Sequence, residues 1–81
     1  MTVLVVDARR LAEVLARAGE DEPVIAIDPS AERLEQLMHE VPDARVLWLI
    51  GDGEVLPLPD ESVDEVVGDA NEDERRRVLR P

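Results

Sequence analysis

Three aspartates stand where the chain leaves an apolar run, and side chains in such places can do chemistry. Asp7 follows Thr2-Val-Leu-Val-Val6, Asp28 follows Val24-Ile-Ala-Ile27, and Asp52 lies between Gly51 and Gly53 just after Arg45 to Ile50. Each carboxylate offers two acceptor oxygens. Each also has a structural reading, Asp7 and Asp28 as helix N-caps, the latter with Pro29 in the first turn, and Asp52 as a turn residue. No acid–base or nucleophile constellation accompanies them, so no catalytic residue is assigned. His39 falls near the end of a helical segment, where an imidazolium complements the helix dipole. With no cysteine and one histidine, disulfides, thiolate metal sites and a histidine-based zinc site within one chain are excluded, and no metal is expected. The Glu20-Asp21-Glu22 cluster lacks EF-hand-like spacing and reads as a solvated turn. Arg75-Arg76-Arg77 with Arg80 is the one basic patch. The dipole at a helix C-terminus accounts for it, and a phosphate or acidic partner is the second reading.

The elements that must position these residues come from a chain of 81 residues with 20 acidic and 9 basic side chains, a net charge of −11. That charge repels phosphate backbones and anionic lipid, so neither nucleic acid nor a membrane surface is an expected partner. The longest apolar run, Val46 to Ile50, is too short to cross a bilayer. The chain opens on a strand-like run with no basic segment ahead of it, which does not read as a signal peptide, and a cytoplasmic location is expected. Every basic residue is arginine and Trp48 is the single aromatic, so the core must come from Val, Leu, Ile and Ala. A core of that kind in so short a chain is marginal without a partner.

Thr2 to Val6 and Val24 to Ile27 are continuous β-branched runs, the pattern of parallel strands buried on both faces. Between them Ala8, Leu11, Ala12, Leu15 and Ala18 recur at helical spacing, with Glu13 and Arg17 paired outside and Gly19 as the stop. A second helix carries the stripe Ala31, Leu34, Leu37, Met38 and Val41 and ends at Pro42. Arg45 to Ile50 is a third strand, Glu54 to Ser62 a proline-containing loop, and Val63 to Val67 a fourth strand. Asn71 with Glu74 forms a capping-box pattern for a last short helix with Glu72/Arg76 and Asp73/Arg77 pairs. The order is βαβαββα, or βαβαβαβα if the loop hides a helical turn. Alternation implies parallel pairing with right-handed crossovers. The fold class is α/β, a single domain over residues 1–81, a Rossmann-like half sheet in strand order 3-2-1-4. Its first two helices lie on one face and the last on the other.

Three stretches carry a resemblance: Val24-Ile-Ala-Ile-Asp28-Pro-Ser-Ala-Glu-Arg-Leu34, Gly51-Asp52-Gly-Glu-Val-Leu-Pro-Leu-Pro-Asp60-Glu-Ser-Val-Asp64-Glu-Val-Val67, and Arg77-Val-Leu-Arg-Pro81. Together they resemble the class I S-adenosylmethionine-dependent methyltransferases, of the small-molecule and quinone type. The resemblance implies that Asp28 accepts hydrogen bonds from both ribose hydroxyls. It also implies that Asp52 accepts from the adenine amine, with Gly51, Gly53 and Glu54 around the base, and that Asp64 is structural.

Two departures stand beside it. The family's glycine-rich loop between the first strand and first helix is replaced by Val5-Val6-Asp7-Ala8-Arg9-Arg10, shorter and without glycine. Glycines there let backbone approach the methionine end of the cofactor. Asp7 would instead meet that cofactor's carboxylate with a like charge, whereas Arg9 or Arg10 would offer it a cation. The chain also ends at Leu79-Arg80-Pro81, before a fifth strand. The expected function is therefore a degenerate, non-catalytic methyltransferase-like domain acting as an interaction or assembly module, with S-adenosylmethionine bound weakly or not at all. The alternatives are an S-adenosylmethionine or adenosine-nucleotide binder and a methyltransferase completed by a second chain. An uncovered sheet face and an open edge beside the fourth strand predict a homodimer or higher oligomer, with Trp48 either at that contact or inside the core.

Overall fold

The two β-branched runs become the central strands of a four-stranded parallel sheet in the order β3-β2-β1-β4. The computed structural model describes every residue except Glu20, Pro42 and Ala44. The sequence readings of Pro42 as a helix stop and of Glu20 as part of an acidic turn lie outside the described residues. Strand β1 is Val3–Val6, β2 is Val24–Asp28, β3 is Val46–Ile50 and β4 is Glu65–Val67. A 3-10 turn, Ala8–Arg10, leads into α1, Leu11–Arg17; α2 is Ala31–Glu40 and α3 is Glu72–Val78. The register runs Val3↔Val24 and Val24↔Val46 on one side and Val3↔Glu65 on the other. Glu54 to Ser62 holds no helix, so the order is βαβαββα. No helix among the described residues is long and apolar enough to cross a membrane.

Strand alternation divides the core into two layers. Val3, Val5, Val24 and Ala26 face α1 and α2 and meet Leu11, Val14 and Leu34. Leu4, Val6, Ile27 and Val66 face the other way, against Leu56, Val63 and Val78. The last helix thus lies opposite the first two, as the pattern predicts. The helical stripes are narrower than expected. Ala12, Ala31 and Met38 are exposed, while Val14, left out of the first stripe, is buried. The reason for α2 is its place over the β2–β3 end of the sheet, where Leu34 and Leu37 face the strands. Trp48 packs on this layer, within the chain.

Several local expectations are corrected. Ser30, not Asp28, is the N-cap of α2: its Oγ accepts from Arg33 N–H at 3.1 Å, and Pro29 precedes the cap. Helix α1 ends at Arg17, with Ala18 as extended C-cap, one residue before Gly19. Arg17 pairs with Glu65 on β4 instead of Glu13, because the side chain reaches across the sheet end. Asn71 caps α3 as predicted, accepting from Asp73 and Glu74 N–H groups. Glu72/Arg76 form their pair at 3.3 Å, but Arg77 turns to Glu74 and Asp60 and leaves Asp73.

The edge beside β4 is not open. Glu65 N–H donates to the Thr2 carbonyl, so in the alternating ladder Val66 and Gly68 direct their backbone groups outwards. Arg75 covers that side, donating to the Val66 carbonyl at 3.2 Å and the Gly68 carbonyl at 2.6 Å. Ahead of it, Val63 bonds the Val78 carbonyl at 2.9 Å and the Arg80 N–H at 2.8 Å. Apolar side chains are exposed at the opposite edge, where Leu47 and Ile50 of β3 are 54% and 63% exposed, as well as at Met1, Met38 and Val55.

Candidate ligand cleft at the strand C-termini

Parallel strands end together, and the loops that leave them open a cleft of about 900 Å3. Its walls bring together Asp7 and Arg9 from the β1–α1 junction, Pro29 and Arg33 from the start of α2, Gly51 to Gly53 after β3, and Asp69 after β4. Asp7, Gly51, Asp52 and Gly53 therefore share one cavity. Asp28 does not reach it: the residue is fully buried behind the wall.

At the first junction Asp7 adopts φ 81°, a conformation that glycine takes freely and other residues rarely do. Its backbone N–H donates to the Ile27 carbonyl at 3.0 Å, tying β1 to β2, and its Oδ1 accepts from Arg9 N–H at 3.1 Å as the cap of the 3-10 turn. Arg9 then folds back, with Nε 2.9 Å from both carboxylate oxygens and Nη2 closing a second bond. The guanidinium hydrogen bond holds the Asp7 carboxyl down from 3.8 to about 2. Arg10 remains half exposed, 3.9 Å from Glu13.

Asp28 accepts from Ala8 N–H at 3.3 Å, Ser30 N–H at 2.9 Å and Arg33 Nη1 at 3.1 Å. Asp52 is exposed, and its Oδ1 accepts from Glu54 and Val55 N–H at 3.0 and 3.3 Å, which makes it a working turn residue as well as a wall of the cleft. Gly53 is wedged against the start of α3: its carbonyl accepts from Asn71 N–H at 2.6 Å, and a Cβ would sit 2.5 Å from the Asp69 carbonyl oxygen. Beyond it Glu74 accepts from Leu56 N–H at 2.8 Å, and Arg77 donates to the Leu56 and Leu58 carbonyls at 2.8 and 2.7 Å. Arg77 holds the Glu74 carboxyl below its usual range. These bonds pin the 54–62 segment over the second core layer. We expect Arg77→Ala to lower the melting temperature clearly more than Arg76→Ala, whose partner is an exposed Glu72; circular dichroism melts of the two variants compare them.

The lowered carboxyls make a pH prediction. Asp7 and Asp43 are both held at about 2, by Arg9 and Arg45 respectively, below their ordinary 3.8. A carboxyl with a depressed folded value binds fewer protons when folded, so its contribution is whole above about pH 3.8 and fades as pH falls through about 2. The urea midpoint should therefore drop between those values, and Asp7→Asn should shallow the drop.

Arg33 and Asp69 were absent from the sequence reading of this site. The signal for Arg33 was its place in the first turn of a helix that starts three residues after Asp28; Asp69 carried none beyond following Gly68. Among the described residues no three acidic or histidine side chains group to hold a metal ion.

A parallel half sheet of this order with a cleft at its strand C-termini is a Rossmann-like α/β fold. Residues 8–70 match the sequence family of methyltransferase domains, and the chain belongs to that family. The chain is similar to the crystal structure of a SAM dependent methyltransferase from Aquifex aeolicus, with TM-score 0.78 and 26% identity over all of this chain and 52% of that one. It shares its fold with the YcgJ protein of Bacillus subtilis, with TM-score 0.70 and 24% identity over 98% of this chain and 39% of that one. The chain thus spans about half of the first structure and less of the second. No curated protein matches it.

Proposed function

We propose that this methyltransferase-family domain is non-catalytic and works as an interaction or assembly module whose cleft retains only adenosine-like recognition. The observation that carries the reading is the β1–α1 junction. Where a glycine cradle would admit the amino-acid end of S-adenosylmethionine, Asp7 is held at positive φ with Arg9 folded across its carboxylate. The donor set fits that end of the cofactor poorly: Asp7 would repel the ligand's carboxylate, and Arg9 is already bonded to Asp7, which leaves the half-exposed Arg10 as the cation on that wall. The residues around Gly51, Asp52 and Gly53 do fit an adenine, since Asp52 is exposed and its Oδ2 is free to accept from an exocyclic amine. Asp28 is the acceptor for ribose in this reading.

Calorimetric titration with S-adenosylmethionine, S-adenosylhomocysteine and adenosine tests it. Weak heats of similar affinity for all three are expected, since the amino-acid end adds nothing. Low-micromolar binding of the intact cofactor, lost in Asp28→Ala, would overturn the reading in favour of a cofactor-binding protein or a methyltransferase completed by a second chain.

Self-association is part of the same proposal. The exposed Leu47 and Ile50 of edge strand β3 present apolar side chains that a second copy would cover. Sedimentation at micromolar concentration should give about twice the 9.0 kDa chain mass, and Leu47→Lys should return it to one.

A further inference from the structure

Asp28 is the charged side chain among the described residues that is fully buried, and the arginine that bonds it, Arg33, lines the cleft. Arg33 is the third residue of α2; its Nη1 lies 3.1 Å from Oδ2 and 3.3 Å from Oδ1 of Asp28. The same side chain is 41% exposed and lines the cleft. From the protein side, Ala8 N–H reaches Oδ2 and Ser30 N–H reaches Oδ1. Those two donors belong to the backbone at the starts of two helical segments and cannot leave without unfolding them. Arg33 sits on a flexible stem with water on one side. Of the donors on Asp28, then, the one facing the cleft is the exchangeable one.

We propose that Arg33 is a latch on Asp28: it occupies both carboxylate oxygens in the free chain and must swing away before a ligand with two adjacent hydroxyls can take its place. The proposal rests on the reading of the cleft as an adenosine site. A vicinal diol supplies two donors to two oxygens, replacing the two contacts of Nη1 one for one, while the backbone donors stay. The displaced guanidinium regains water, so the latch weakens binding without abolishing it. A half-exposed ion pair sets its strength at about three- to fivefold in affinity. A ligand without the diol does not feel it.

The test is calorimetric titration of the wild-type chain and Arg33→Met with adenosine and with 2′,3′-dideoxyadenosine. Methionine keeps the length and helix propensity and removes the donor. Adenosine should bind Arg33→Met about three- to fivefold more tightly, with dideoxyadenosine unchanged. Arg33→Gln, which keeps a neutral donor, should fall between, and it carries the same comparison if Arg33→Met does not fold. Adenosine binding that is equal or weaker in the variants overturns the latch and leaves the adenosine reading standing. A gain shared by both nucleosides also overturns it, because the arginine would then merely crowd the cleft. Adenosine binding to none of the three proteins overturns the adenosine reading and the latch together.

Discussion

Replacing Asp28 by alanine is expected to cost about 3 kcal/mol in the absence of any ligand. The carboxylate is fully buried and holds Ala8 N–H, Ser30 N–H and Arg33 together. Its loss leaves two backbone donors without a partner at the point where β1, β2 and α2 meet. By contrast, Ser30→Ala removes one capping bond and should cost about 1 kcal/mol. An 81-residue domain has about 4–12 kcal/mol to lose, so Asp28→Ala should shift the urea midpoint by a large fraction of its value. Asp28→Asn, which keeps one acceptor oxygen, should lie between. A midpoint for Asp28→Ala within error of the Ser30→Ala value would mean that Asp28 is no more than another cap.

Gly68→Ala should be comparably severe. Gly68 has φ 105°, and a Cβ built on it would lie 2.2 Å from the Val6 carbonyl oxygen and 3.2 Å from the Val6 carbonyl carbon. Both are backbone atoms, so relief requires the ends of β1 and β4 to part, which would also move the Val6–Asp7 wall of the cleft. Backbone strain of this kind and the clash together should cost about 3 kcal/mol or more. Thermal unfolding of Gly68→Ala, compared with Gly19→Ala at a position of ordinary spacing to Glu22, separates this from a general glycine effect. Equal melting temperatures for the two variants would contradict the close approach.

The pattern of the strands was readable because burial on both faces writes an unbroken β-branched run, and strand order follows from the right-handed crossovers between such runs. Thr2 to Val6 and Val24 to Ile27 therefore place Asp7 and Asp28 at the sheet's C-terminal end on their pattern alone. What lay beyond reach was long-range side-chain bonding. Nothing in the spacing of Arg33 told whether it would face solvent or turn back onto Asp28, and i,i+4 pairing assigned Arg17 and Arg77 to helix neighbours when each bonds across the fold. Arg75 is similar: it reads as one of three helix-end cations, yet it covers the outward carbonyls of β4. Long arginines reach several partners of similar energy, and only the packed backbone decides among them. Asp7 shows the converse. The sequence already showed a junction after the first strand without the resembled family's glycines, and the structure puts Asp7 there at a positive φ.

The most direct test of the central claim, that the cleft does not accept the intact cofactor, is a titration of the isotopically labelled chain with S-adenosylmethionine followed through its backbone amide resonances. The account predicts small, non-saturating shifts at Gly51 to Val55 and essentially none at Asp7 to Arg10. Saturating shifts at Asp7, Ala8, Arg9 and Arg10 at micromolar ligand would show that this junction cradles the methionine end after all, and would contradict it.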